Sequence, residues 1–419
     1  MATTPAAPGA APAPGRFPLV EPGPELDADG RRRWARHALV PEIGLEGQRR
    51  LRAARVLVVG AGGLGSPALL YLAAAGVGTL GVVDDDVVEV SNLQRQVVHG
   101  TADVGRPKVE SARDAVAALD PGVRVVVHPE RLTADNAAAV LAGYDLVLDG
   151  TDTFESRYLV GDTCAALGVP HVWGSVLRFD GQVSVFWSSP PAALGPAVTL
   201  RDVFPEPPPP GTVPSCAEAG VLGVVCGAVG SAMALEAVKL VCGIGEPLLG
   251  RVLVLDALSH RWREVPVAPD PGRVTPDPSV IAGGAPGART AGAVLAGPAA
   301  APPAAAALPA VTARELAALL AERDAGTADV DLVDVRDPAE HALVAIPGAR
   351  LVPKDRLLAP GGIARHLDPA RPLVLHCRSG ARSAEVLVAV REAGHRDARH
   401  LAGGLLAWVD EVDPSLPRY

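Results

Sequence analysis

Two groups of residues in this sequence have types and spacings suited to chemistry. The first opens with Gly60-Ala-Gly62-Gly63-Leu-Gly65, directly after the apolar run Val56–Val59. This is a G-x-G-x-x-G pattern, in which glycines let the backbone approach a phosphate at a helix N-terminus. A ligand-free tight turn would read the same way, so the pattern needs company. Asp84, at the end of the next apolar run, stands where a ribose-binding acid is expected, and strand, turn and acid in register favour a nucleotide. Beyond it come Asp86, Ser91-Asn92, Arg95, Lys108 and Asp152-Thr153. A redox dinucleotide carries one pyrophosphate and needs little further positive charge. A nucleoside triphosphate with its metal calls for several cations and a carboxylate near the outer phosphates, which Arg95, Lys108 and Asp152 supply. A nicotinamide dehydrogenase is the rival reading.

The second group is Cys377-Arg378-Ser379-Gly380-Ala381-Arg382-Ser383, following the apolar run Leu373–His376 and opening a helical pattern. A thiol at a strand-to-helix turn, flanked by two arginines and facing helix-terminal N–H groups, is expected to be a reactive thiolate. An inert buried cysteine there would leave two arginines needing burial and partners. Phosphatase loops of this kind place five residues between cysteine and arginine; Cys377 and Arg382 have four between them, which suits a smaller sulfur. The other cysteines form no C-x-x-C pair, which fits reduced thiols in a cytoplasm. Cys216, after a proline-rich loop, has the setting of an exposed nucleophile, whereas Cys226 and Cys242 in an apolar helix read as packing residues.

The elements that must position these groups alternate along the chain. Strands at Val56–Val59, Thr79–Val83, Val123–Val127 and Leu146–Leu148 are separated by helical patterns, including Lys108–Leu119 and Ala134–Leu141, the rhythm of a doubly wound, mostly parallel α/β sheet. Ligands of such sheets sit at the carboxyl ends of the strands. The 419 residues suggest two or three domains. Composition marks residues 1–24 as a disordered Ala/Pro tail, 25–267 as the nucleotide domain, 268–308 as a Pro/Ala/Gly linker and 309–419 as a smaller α/β domain. A net charge of −9 argues against nucleic acid or an anionic membrane as partner. The uncharged run Ala219–Leu235 is short for a membrane span and reads as a buried helix. The N-terminus has no secretory pattern.

The segments GAGGLG, SNLQRQ, GRPKVESAR and DGTDTFESRYLV, with RRRWARHALVPEIGLEGQRRL before them, resemble the MoeB/ThiF adenylyltransferases, relatives of ubiquitin-activating enzymes; the likeness runs to about Val267. It implies a Rossmann-like fold and ATP bound by Gly60, Gly62, Gly63, Gly65, Asp84, Asp86, Ser91, Asn92, Arg95, Lys108, Asp152 and Thr153. Asp152 would hold Mg2+, and Arg36 would reach a partner's ATP site in a homodimer. The substrate it implies is the C-terminal Gly-Gly carboxylate of a ubiquitin-like sulfur carrier, and the cysteine matching Cys216 can join the mechanism covalently. Such a carboxylate is already anionic at neutral pH, so attack on the α-phosphate needs positioning and charge neutralisation rather than a general base. Members often carry two C-x-x-C pairs for zinc; both are missing here, so no zinc is expected, and the loop from Ser188 to Pro214 must be ordered by proline stiffness or packing.

VDVRDPAEHALVAIPGA, HCRSGARSAE and LAGGLLAW similarly resemble the single-domain rhodanese family. That likeness implies a persulfide on Cys377, cradled by loop amides and Arg382, with Asp334 and Arg336 bracing the loop. Joined, the halves imply a fused adenylyltransferase/sulfurtransferase that makes a thiocarboxylate, fed by an upstream persulfide donor such as a cysteine desulfurase. A non-catalytic scaffold for a ubiquitin-like protein is the remaining alternative.

Overall fold

The computed structural model describes residues 17–208, 220–272 and 308–416, and the chain divides into two compact units, each treated by itself. In the first, β1 (Arg55–Val59), β2 (Thr79–Val83), β3 (Arg124–His128), β4 (Leu146–Asp149), β5 (His171–Leu177), β6 (Asp180–Phe186), β7 (Arg251–Asp256) and β8 (Arg261–Pro266) form one sheet in the order β3-β2-β1-β4-β5-β6-β7-β8. From β3 to β5 neighbours are parallel; from β5 to β8 they are antiparallel. The parallel half has the expected β-helix-β rhythm, and its strands are apolar because helices cover both faces. The antiparallel half is a meander that ends on β8, whose residues are exposed.

Register decides where the site falls. Val59 lies opposite Val83 on one side and Asp149 on the other, so the turns after β1, β2 and β4 emerge at one edge. The strand order also reverses direction across β1 and β4, which opens a crevice at that edge.

Differences from the sequence reading are local. The helix expected over Ala134–Leu141 spans Ala137–Leu141, because the Asn136 carboxamide accepts the Thr133 amide and makes a turn instead. Residues 17–24, read as part of a disordered tail, are a strap laid on the core: Leu19 N–H donates to the Leu240 carbonyl at 2.9 Å, Leu19 and Val20 pack against the main cluster, and Arg50 donates to the Val20 carbonyl. Two adjacent apolar side chains account for the docking. Residues 1–16 lie outside the described residues, as does 273–307 of the expected linker. Residues 268–272 fold back, with the Asp270 N–H on the Asp202 carboxylate, and the Pro309 carbonyl already accepts from His400 of the second unit.

The apolar run read as a buried helix lies within Gly223–Cys242, which Gly243 ends in a left-handed turn at φ 66°. By length and composition this helix could cross a membrane. It packs instead on the helix Gly65–Ala74 and on β5 and β6, burying Val225, Val229 and Met233. Within the loop after β6, of which residues 209–214 lie outside the described residues, hydrogen bonds hold the described part: Thr199 and Asp202 cap a short helix Leu200–Val203, Arg201 forks onto Asp162, and the Tyr158 hydroxyl donates to the Phe204 carbonyl.

The second unit is a five-stranded parallel sheet, order β11-β10-β12-β13-β9, from β9 (Ala310–Val311), β10 (Asp331–Asp334), β11 (Arg350–Leu351), β12 (Leu373–His376) and β13 (Ala398–Leu401). Separate apolar clusters fill its two faces. Asp334 lies opposite His376, so the turn after β10 stands beside the cysteine turn after β12.

Candidate active sites

The glycine turn, the acidic turn after β2 and the turn after β4 line a cleft of about 310 Å³. Gly60 has φ 89°, a left-handed value that glycine adopts without strain, and its N–H donates to the Val83 carbonyl. A Cβ on Gly65 would lie 1.8 Å from the Gly60 carbonyl oxygen, so Gly65 serves the close packing of turn on helix. Gly63 sits on the Cys226 sulfur, which a Cβ would approach to 2.9 Å. Gly62 faces the cleft, with nothing nearer to its absent Cβ than the Gln96 carboxamide at 3.8 Å.

Asp84 joins the strand end to this turn: one carboxylate oxygen accepts the Ala61 N–H at 2.8 Å and the other the Asp86 N–H at 2.9 Å. Burial raises its pKa above the usual carboxylate value, against the opposing pull of Lys108. Lys108, buried at the start of the helix Lys108–Leu119, donates from Nζ to Asp86 at 2.8 Å. Arg95 lines the same cleft and is steadied by the Ser91 carbonyl at 3.0 Å. Across from them, Thr153 caps the helix Phe154–Leu167, and Asp152 is exposed at the cleft wall with no hydrogen bond or ion pair among the described residues. Mg2+ is held by one or two carboxylates together with phosphate oxygens, so this free carboxylate fits that ion. The Asp84, Asp85 and Asp86 oxygens also converge within 4.8 Å, but Asp84 and Asp86 are engaged by amides and by Lys108.

Not every expected residue reaches the cleft. Ser91 and Asn92 do not line it; the Asn92 side chain accepts the Glu89 N–H and fixes the short turn from which Arg95 projects. Arg36 is exposed on the helix Ala35–Ala38, outside its own chain's cleft, and Cys216 lies outside the described residues. The cleft in turn has residues that the motifs did not reveal. Glu130, Arg131 and Leu132 follow β3, a strand end that the carboxyl-edge rule covers equally well. Arg157 lies one turn into the helix after Thr153, donating to the Thr151 carbonyl with its guanidinium over Trp173. Asp149, fully buried, accepts both the N–H and the hydroxyl of Thr151 and so shapes the turn that presents Asp152. Cys242 is a packing thiol as expected, its pKa pushed up to about 12 by burial.

In the second unit Cys377 is buried at the foot of its loop, where its sulfur accepts the Gly380 N–H at 3.1 Å and faces the Ser383 hydroxyl at 3.7 Å. The Leu405 and Leu406 amides donate to the Cys377 and Arg378 carbonyls, so the Gly403-Gly404 turn braces the loop from behind. Arg336 and Asp334 form a fully buried pair beneath it. Both Nη atoms of the Arg382 guanidinium donate to the Glu340 carboxylate at 2.7 Å, on the short helix Pro338–Leu343.

Residues 34–274 match the ThiF family and residues 312–411 the rhodanese-like domain. The chain belongs to the ThiF family. It is 50% identical over 402 residues to a probable adenylyltransferase/sulfurtransferase MoeZ of Mycobacterium tuberculosis, covering 96% of this chain and 98% of that one. A sulfur carrier protein adenylyltransferase of Thermus thermophilus is 53% identical over 240 residues, 57% of this chain and 88% of that one. The adenylyltransferase and sulfurtransferase MOCS3 of Mus musculus is 38% identical, covering 96% and 90%. Among solved structures, E. coli MccB with a MccA variant superposes with a TM-score of 0.51 at 16% identity over 58% of this chain and 74% of that one, a likeness of fold. This ThiF-family protein is therefore an adenylyltransferase joined to a rhodanese-like sulfurtransferase domain.

Proposed function

We infer that the first unit adenylates the C-terminal carboxylate of a ubiquitin-like sulfur carrier ending in Gly-Gly, and that sulfur carried on Cys377 then converts the adenylate to a thiocarboxylate. The observation that carries the reading is the convergence of the glycine turn, Arg95, Lys108 and the unpaired Asp152 carboxylate on one cleft, with no histidine among the described residues that line it. The carrier carboxylate attacks the α-phosphate, and the leaving pyrophosphate takes the negative charge that Arg95 and Lys108 face. Asp152 would hold Mg2+, which supplies charge neutralisation on the phosphates. The Cys377 persulfide then attacks the acyl carbon and AMP leaves. The resulting acyl persulfide releases the thiocarboxylate when a second thiol attacks its sulfur–sulfur bond, leaving a disulfide that an external thiol reductant reopens. Cys216 is the sequence's candidate for that second thiol.

A homodimer with Arg36 given to the partner's cleft is part of this reading. Support comes from the exposed Arg36 and from a nearby apolar groove of about 280 Å³ lined by Ile43, Tyr71, Leu235 and Val238, of which Tyr71 and Leu235 are exposed. An upstream persulfide donor of the cysteine desulfurase kind and a cytoplasmic setting complete it. The test is carrier-dependent exchange of pyrophosphate into ATP together with thiocarboxylate formation: Cys377→Ser is expected to keep the exchange and abolish the thiocarboxylate, and Asp152→Ala to abolish the exchange. Exchange without a carrier requirement, or thiocarboxylate formed by Cys377→Ser, overturns the reading.

A further inference from the structure

His99 lies behind the cleft, 6% exposed, and lines no part of it. Its ring joins the two elements that face the bound triphosphate in the reading above. Nε2 is 3.0 Å from the Ala61 carbonyl oxygen inside the glycine turn, and Nδ1 is 2.8 Å from the Ser111 hydroxyl, one turn beyond Lys108 on the same helix. A carbonyl only accepts, so Nε2 carries the proton and donates to Ala61. In the neutral ring Nδ1 is then an acceptor, and the Ser111 O–H, whose other neighbour is the Asp103 carboxylate, is the donor within reach of it. Burial lowers the pKa of His99, the Ala61 bond and Asp103 opposing that shift and Lys108 adding to it, so the neutral ring is the form present at neutral pH.

Both backbone polar groups of Ala61, on the two peptide units that flank it, are held. Its N–H is taken by Asp84 and its carbonyl by His99, which leaves the following glycines Gly62 and Gly63 to face the cleft. We propose that His99 is a positioning residue of the ATP site, a strut whose Nε2–H fixes the Ala61 peptide and couples the glycine turn to the helix that presents Lys108. It touches no substrate. The chemistry required at this position is a donor at the Nε2 location, and glutamine supplies one there. Asparagine places its amide near Nδ1 only, and phenylalanine fills the space with neither.

This inference rests on ATP being held at the glycine turn. The experiment titrates a non-hydrolysable ATP analogue with Mg2+ into the full chain and its variants, alongside thermal melting. His99→Phe and His99→Asn are expected to weaken analogue binding about tenfold, the size of one unmade buried hydrogen bond, and His99→Gln to recover most of the loss. Ser111→Ala, which removes the hydroxyl partner of Nδ1 and a side-chain partner of Asp103, is expected to weaken binding about threefold and to lower the melting temperature by a few degrees. A purely structural histidine would lower the melting temperature in Phe, Asn and Gln variants alike without separating Gln from the others in affinity, and that result overturns the proposal. So does His99→Asn binding as tightly as the native chain. If His99→Phe fails to fold, the Asn, Gln and Ser111→Ala comparison decides alone. No analogue binding by the native chain overturns the ATP reading itself, and the strut with it.

Discussion

At the scale of single residues, the glycine turn shows how one motif serves two physical purposes. Gly65 is required by the fold: a methyl group 1.8 Å from the Gly60 carbonyl cannot be accommodated without moving the backbone. Gly65→Ala is therefore expected to destabilise the first unit by more than about 4 kcal/mol, read as loss of its melting transition. A Cβ on Gly62 would meet only the Gln96 carboxamide, at an ordinary contact distance of 3.8 Å, and its φ is not positive, so Gly62→Ala is expected to melt within a few degrees of the native chain. The added methyl projects into the cleft, and binding of an ATP analogue should fall at least about tenfold. If Gly62→Ala binds the analogue normally, phosphates do not approach that turn. The motif's existence was legible from the sequence, but this division of labour was not, because it depends on which neighbours the turn meets. Ser91 and Asn92 make the same point. Their types suit ligand contact, yet Asn92 spends its carboxamide on the Glu89 amide, and the cleft receives Arg95 instead.

At the scale of elements, strand cores were the most legible features: β2 and β12 fall on the expected residues, since buried parallel strands are short continuous apolar runs. The antiparallel meander β5–β8 and the helix carrying Glu340 are less legible in the sequence; six residues give the helix too little periodicity to show. Burial lowers the pKa of His376, beneath the cysteine loop, from 6.5 to about 4, with Asp334 3.9 Å away opposing that shift. A folded pKa below the unfolded one means that the unfolded chain binds the proton first. The stability His376 contributes is full above about pH 6.5 and is lost as pH falls towards 4, on the order of 3 kcal/mol in all. Calorimetry of the second unit's transition between pH 7 and 4 should show this slope, and His376→Leu should reduce it, leaving the part that His395 and His400 contribute, whose pKa values burial also lowers. The loop after β6 carries a second expectation. Arg201 on Asp162, the Thr199–Asp202 cap and the Asp270 amide on Asp202 tie the described part of this loop to its surroundings by hydrogen bonds that need no metal. Purified protein is expected to hold less than about 0.1 zinc per chain, and chelator should leave its melting temperature unchanged; one tightly bound zinc per chain contradicts this account.

At the scale of the whole molecule, the chain divides into two compact units, and a Pro/Ala/Gly-rich stretch between the two groups of motifs is where composition placed the join. What composition does not say is why the two should share a chain. The acyl adenylate is a reactive mixed anhydride that water also attacks, so the yield of thiocarboxylate depends on how soon sulfur arrives. A tethered donor reaches its acceptor at an effective concentration on the order of millimolar, whereas separate proteins at about 1 μM meet roughly a thousandfold more slowly. Cutting the chain within residues 273–307, or mixing residues 1–272 with residues 308–419, should leave carrier-dependent pyrophosphate exchange intact, because every group lining the nucleotide cleft lies in the first unit. Thiocarboxylate formation should fall at least tenfold at about 1 μM and recover as the second unit is raised towards millimolar, with AMP release running ahead of product in the meantime. A rate that does not change on cutting would mean that the sulfur donor docks tightly by its own surface, and the tether would then have no kinetic purpose.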